Sequence, residues 1–126
     1  MDIKKVGRPV PTGSRFELYS WIFMRISGIL LIFLALGHLA IMHIINNVDT
    51  IDYEFVAARF TTPFWRIYDL LMLVLALFHG LNGARTMVED YIHPAKWKRF
   101  TLSILYALGF LFTIVGSYTL LAFHPK

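Results

Sequence analysis

Between Leu77 and Tyr91 the chain sets a histidine, a glycine and an acidic-aromatic pair on one apolar stretch: His79, Gly83, Asp90 and Tyr91. At about 100° per residue, the eleven steps from His79 to Asp90 turn a helix through roughly three turns, so the two side chains share a face. Gly83, one turn after His79, lies on that face too. An imidazole, a notch left by a missing side chain, and a carboxylate about 16 Å farther along at about 1.5 Å per residue suit a flat buried cofactor with a polar site beyond it. A second histidine, His38, also falls inside an apolar run, and an ionisable group at such a depth is a functional hypothesis by default.

Haem is the cofactor that best uses these residues. Neutral imidazole supplies an axial nitrogen to iron while apolar helices bury the macrocycle. Zinc fits worse, because it wants four ligands in a tetrahedron and the chain has no close cluster of histidines and carboxylates within the lipid depth. Two histidines at different depths, each able to meet a partner's histidine across a bundle, suggest a cytochrome b arrangement with His79 on an inner iron and His38 on an outer one. The competing reading is that both are neutral and hydrogen-bonded to a neighbouring helix. Of the other three histidines, His93 and His124 sit at interfaces, and His43 falls one turn beyond His38 where hydration is cheap. Arg25, in Phe23-Met-Arg-Ile-Ser-Gly28, is either a topological anchor that snorkels to the headgroups or, aided by the Ser27 hydroxyl, a cation for haem propionates or a quinone carbonyl. Asp90 and Tyr91 either mark the interface or form a proton-delivering pair for a quinone.

The elements that must position these residues are three membrane spans. The chain has 126 residues, 57% of them hydrophobic and only 16% charged, against about 25% charged in soluble domains. This predicts an all-α integral membrane protein, one domain over residues 1–126, whose spans leave little chain outside the lipid. Without cysteine it has no disulfide, no thiolate metal site and no iron-sulfur cluster of its own. Residues 1–18, with Pro9, Pro11, Gly13 and Ser14, read as a cytoplasmic arm. They contain basic residues but no short apolar core with a cleavage site, so no removable signal peptide is expected. Spans are predicted at about 19–45, 64–91 and 99–123, the first stopped by Asn46, Asn47 and Asp49 and the second by Pro94. The amphiphilic segment between the first two predicts a short interfacial helix near Tyr53 to Phe60 and a break at Pro63. Gly109, Gly116 and Ser117 in the third span suit close helix contacts.

Nine lysines and arginines fall on the side of the N terminus and of the loop after the second span, and three on the other. The positive-inside rule then puts the N terminus and the Asp90-Tyr91 end in the cytoplasm and the C terminus outside. The formal net charge of +4 reflects this distribution, and nucleic acid need not be invoked as a partner.

Arg25-Ile-Ser-Gly28 early in the first span and His79-x-x-x-Gly83 followed by Asp90-Tyr91 in the second resemble the D-type membrane anchors of succinate dehydrogenase (complex II). Phe16-Glu-Leu-Tyr-Ser-Trp21 and Pro63-Phe-Trp-Arg-Ile-Tyr-Asp69 look like actinobacterial-type members. The resemblance implies a similar three-span C-type membrane anchor as partner, with haem b shared between the two. It also implies docked flavoprotein and iron-sulfur subunits that carry the FAD and the clusters, and electron transfer from succinate to a membrane quinone in a bacterial cytoplasmic membrane. It makes His79 an axial haem ligand, puts Arg25 near haem propionates, and sets Tyr91 at the border of the quinone site nearest the iron-sulfur subunit. Single-haem members have no histidine at the position of His38, so the two-haem class, commonly linked to menaquinone, is implied. A haem-free anchor of the same complex and the cytochrome b subunit of another oxidoreductase, such as a hydrogenase or formate dehydrogenase, are the alternatives.

The charge distribution makes a direct prediction about topology. A cysteine placed at Ser14 should resist a membrane-impermeant thiol reagent in intact cells, while one at Lys126 reacts. Equal labelling at the two positions would overturn the orientation.

Overall fold

The computed structural model describes residues 15–124, and the first fourteen residues of the predicted arm lie outside the described residues. Helix α1 runs from Arg15 to Leu39 and continues into a wider π-helical turn, Ala40–Ile45. Asn46 closes that turn, its backbone N–H and its side-chain Nδ2 both donating to the Ile41 carbonyl at 3.2 and 2.8 Å. A short 3-10 turn, Val48–Thr50, leads to Asp52, whose carboxylate accepts from the Phe55 N–H at 2.9 Å and so caps helix α2, Tyr53–Phe60. Pro63 then opens α3, Pro63–Tyr91, at a position where its missing N–H costs nothing. Pro94 stands at the head of α4, Ala95–Ala122.

Three of these stretches, Arg15–Ile45, Pro63–Tyr91 and Ala95–Ala122, are long and apolar enough to cross a membrane. At 31, 29 and 28 residues they extend about 42 to 47 Å, more than the roughly 30 Å hydrocarbon core, so their ends reach the headgroup layer. They run up, down and up, with α3 packed against both α1 and α4. Gly109 and Gly116 of α4 receive Leu81 and Leu73 of α3 as knobs, and any side chain there would displace those leucines. At the other end of α4, the Arg66 guanidinium of α3 donates to the carbonyls of Leu121, Phe123 and Phe60, satisfying groups that the end of a helix leaves orphaned. Phe123 also packs its ring against Phe60 and Tyr53 of α2, at 5.5 and 5.9 Å between centroids.

The helices extend beyond the predicted spans: residues 15–18, read as part of the arm, are the first turn of α1, and α4 begins at Ala95, four residues before the span expected from about 99. Hydropathy marks where lipid begins, whereas a helix ends only where its hydrogen-bond ladder is broken. Lys96, Lys98 and Arg99 sit on an exposed first stretch of α4 without interrupting it. Glu17 in the first turn of α1 is stabilised by the helix dipole and by an ion pair with Arg85.

Tyr68 of α3 donates its hydroxyl to the Leu34 carbonyl across the α1–α3 seam, and a Cβ at Gly37 would stand 2.6 Å from that hydroxyl oxygen. Gly37→Ala should therefore displace the hydroxyl and lose a bond worth about 0.5–1.5 kcal/mol. Tyr68→Phe loses the same bond but removes the clash. The double variant should cost no more than either single one in thermal unfolding in detergent, and additive costs would refute the shared site.

Candidate functional site

His79 lies half-buried where α3 meets α1. Its Nδ1 is 2.8 Å from Ser27 Oγ, and Ser27 is 1% exposed, buried more completely than any other described residue. The Ser27 hydroxyl has one proton and directs it along its own helix to the Phe23 carbonyl, 2.6 Å away. With that proton so placed, the oxygen is an acceptor for His79 Nδ1–H, the tautomer whose Nε2 keeps its lone pair. Gly28 lies against the same ring, where a Cβ would stand 3.4 Å from His79 Cε1, in ordinary van der Waals contact. Gly83 serves the same seam, facing the end of Met24. The structure thus brings together His79, Ser27 and Gly83 from the residues singled out in the sequence, and adds Gly28.

Arg25 is not part of that group. Two residues from Ser27 is about 200° around a helix, so the two side chains point apart. Arg25 is exposed, with its guanidinium 3.4 Å from the centroid of the Trp21 ring and Nη1 donating to the Trp21 carbonyl at 3.3 Å. Asp90 and Tyr91 are exposed at the end of α3, Tyr91 by 78%. His43, His93 and His124 are exposed as well.

His38 stands toward the opposite end of the bundle. Its Nδ1 is buried without a hydrogen-bond partner among the described residues, and the acceptor facing it is Asp69 Oδ1 at 3.6 Å. Asp69 is itself gripped by Arg59 of α2, which donates Nε to Oδ2 at 3.1 Å and Nη2 to Oδ1 at 2.9 Å. Arg59 in turn stacks over the Trp65 ring at 4.1 Å. A cleft of about 530 Å³, lined by His38, Asp69, Met72, Leu73, Gly116 and Thr119, opens beside the imidazole. His38 is eleven residues from Ser27 along α1, and Asp69 is ten from His79 along α3. Both helices therefore separate the two histidines by about 15 Å.

A third cluster ties the Tyr91 end together. Arg85, buried in α3, donates Nη1 to Glu89 at 2.9 and 3.0 Å and to Glu17 of α1 at 3.4 Å, and Nε to Asn82 Oδ1 at 3.2 Å. Asn82 Oδ1 also accepts from Ser20 Oγ at 2.8 Å. An aromatic cleft of about 390 Å³, bordered by Phe16, Tyr19, Phe23, Phe78 and Tyr106, lies next to it. Sequence reasoning missed Asp69 and Arg59 as site residues and counted Arg85 only as a topological charge. The signal that could have found Asp69 and Arg85 is the one that singled out the histidines, an ionisable residue within span length of the bilayer.

Comparison with known proteins gives a consistent picture. Residues 5–116 match the family described as succinate dehydrogenase/fumarate reductase transmembrane subunit. The chain is 30% identical over 98 residues to the succinate dehydrogenase hydrophobic membrane anchor subunit of Archaeoglobus fulgidus, covering 78% of this chain and 82% of that one. It is 27% identical over 105 residues to the protein of the same name in Rickettsia typhi, covering 83% and 81% respectively. It is also 26% identical over 98 residues to the succinate dehydrogenase 2 membrane subunit SdhC of Mycobacterium tuberculosis, covering 78% and 70%.

Proposed function

The chain belongs to the succinate dehydrogenase/fumarate reductase transmembrane subunit family, and on that premise we propose that it is the cytochrome b anchor of a succinate:quinone oxidoreductase. It is a multi-pass membrane protein and an anchor subunit of the enzyme complex, outside the catalytic subunit. In the proposed reading it is the D-type anchor and shares two haems b with a similar C-type anchor. It docks the iron-sulfur and flavoprotein subunits on the cytoplasmic face, where the nine-to-three distribution of basic residues puts the Asp90-Tyr91 end. Electrons from succinate then pass to a membrane quinone, menaquinone by analogy with the two-haem class.

The observation that carries the reading is the Ser27–His79 bond. It gives the imidazole one orientation through Nδ1 and leaves Nε2 outside the bond, which supports a role for that nitrogen as an iron ligand. His38 supports a second haem, since it borders a roomy apolar cleft and its Nδ1 faces a carboxylate. The separation of about 15 Å along both helices argues against one iron shared by the two histidines, so His79 and His38 would each hold a different haem together with a residue of the partner. Haem b, when bound, supplies one-electron transfer through the bilayer. Arg25, exposed on the outer surface of α1, is available to propionates or to lipid headgroups. At the end assigned to the cytoplasm, the Tyr91 hydroxyl can donate a hydrogen bond to a quinone, and the Asp90 carboxylate beside it can relay protons.

Two experiments test this reading. The purified complex should contain two haems b by pyridine haemochrome assay. His79→Ala and His38→Ala should each remove a spectrally distinct one in the reduced-minus-oxidised spectrum. A single haem that survives His38→Ala would reduce the chain to one ligand, and no haem at all would leave a purely structural anchor. Tyr91→Phe keeps the ring but removes a hydrogen bond worth about 0.5–1.5 kcal/mol, so the apparent affinity for quinone should fall up to roughly tenfold with haem content unchanged. Unaltered quinone kinetics would place the working site elsewhere.

A further inference from the structure

Among the described residues one buried side-chain polar atom has no hydrogen-bond partner, His38 Nδ1. We propose that Asp69, held by Arg59, is the positioning residue for His38, accepting its Nδ1–H and presenting Nε2 to the second haem; this rests on the haem reading above. The two Arg59 bonds use one acceptor position on each carboxylate oxygen, which leaves a lone pair of Oδ1 for the imidazole. The guanidinium also fixes where the oxygens of Asp69 point. The 3.6 Å gap to Nδ1 is longer than a hydrogen bond, so the imidazole must turn toward Oδ1 to make one.

The two histidines of this chain therefore have unlike supports. The partner of His79 is a neutral hydroxyl oxygen whose own proton is committed to Phe23. The partner of His38 is a carboxylate, which draws the Nδ1 proton toward itself and makes Nε2 the more electron-donating ligand. A stronger donor favours ferric over ferrous iron, so Asp69 should hold the potential of the His38 haem down without touching the haem. Arg59 and Asp69 are supplied by α2 and by the first turns of α3, which gives the short helix α2 a role beyond connecting two spans.

The test uses the whole purified complex and an optical redox titration. In Asp69→Asn both haems should remain, but the His38 haem should become easier to reduce. A tenfold change in its reduced-to-oxidised ratio at fixed potential corresponds to about 59 mV for one electron. The His79 haem should not move, and Asp69→Glu should restore most of the shift. Because Asp69→Asn leaves Arg59 buried without a counter-charge, the double variant Asp69→Asn, Arg59→Gln removes both charges at similar volume and should show the same shift in a stable complex. Haem retained with both potentials unchanged would overturn the proposal while sparing the haem reading. So would equal shifts of both haems, or loss of assembly in both variants, which would make Asp69 a folding residue. Full haem content after His38→Ala would instead remove the haem reading on which the proposal rests.

Discussion

Polar groups inside a chain whose outside is apolar set the constraint that the rest of this structure obeys. Large hydrophobic side chains such as Phe33 and Phe110 are exposed by 73% and 70%, while the buried polar residues are Ser27, Arg59, Asp69 and Arg85. In lipid an unpaired polar group has no water to turn to, so each must find its partner across a helix seam. On the α1–α3 seam these partners come in order. Glu17 meets Arg85, Ser20 meets Asn82, Ser27 meets His79, the Leu34 carbonyl meets Tyr68, and His38 faces Asp69. Through the first four pairs each step forward on α1 is matched by a step back on α3, and His38 then faces Asp69, the residue after Tyr68. Sliding one helix by a turn would unpair the whole series at once, and this fixes the register far more firmly than apolar contact could.

The α3–α4 seam works differently. Along its middle it is made by glycine notches receiving leucines, a fit of shape, and its polar contacts come at one end, where Arg66 donates to the carbonyls of Leu121 and Phe123. Helix α3 thus carries polar groups toward α1 and leucines toward α4. In a bilayer that division suits a helix between two neighbours. Small-residue packing brings backbones close where dispersion is the main attraction, and polar pairs supply direction where orientation matters.

Much of the architecture could be read from the sequence because membrane spans and the interfacial helix are written in long-range hydropathy. The ends of α1 and α4 could not, because charged residues at the headgroup layer do not interrupt a helix. Within the site, the recurrence of His79 and Gly83 on one face followed from helical periodicity alone. The bond to Ser27 did not, because a single sequence gives the faces of two helices but not which faces meet. The same periodicity separates Arg25 from Ser27, two residues apart on opposite sides of a helix, although the sequence reading joined them in one polar group. Asp69, Arg59 and Arg85 were hidden by their position near the ends of spans, where a charge reads as an ordinary mark of the interface until a partner shows it to be buried.

The internal pairing also bears on how this anchor recognises another. Within the spans, the polar side chains that face α1 and α3 are committed to one another, so a neighbouring helix meets mainly apolar side chains. Apolar surface in lipid gives little preference for one partner over another, because lipid tails offer nearly the same contact. Direction must come from what the pairing leaves over. Ser27 occupies only one nitrogen of His79, and the carboxylate beside His38 can occupy only one of its two. On the haem reading these two remaining nitrogens, about 15 Å apart along the bundle, are the points at which a second anchor with its own histidines is selected. The cofactor is then part of the interface, and the register that fixes the two levels in this chain also fixes the register of its partner.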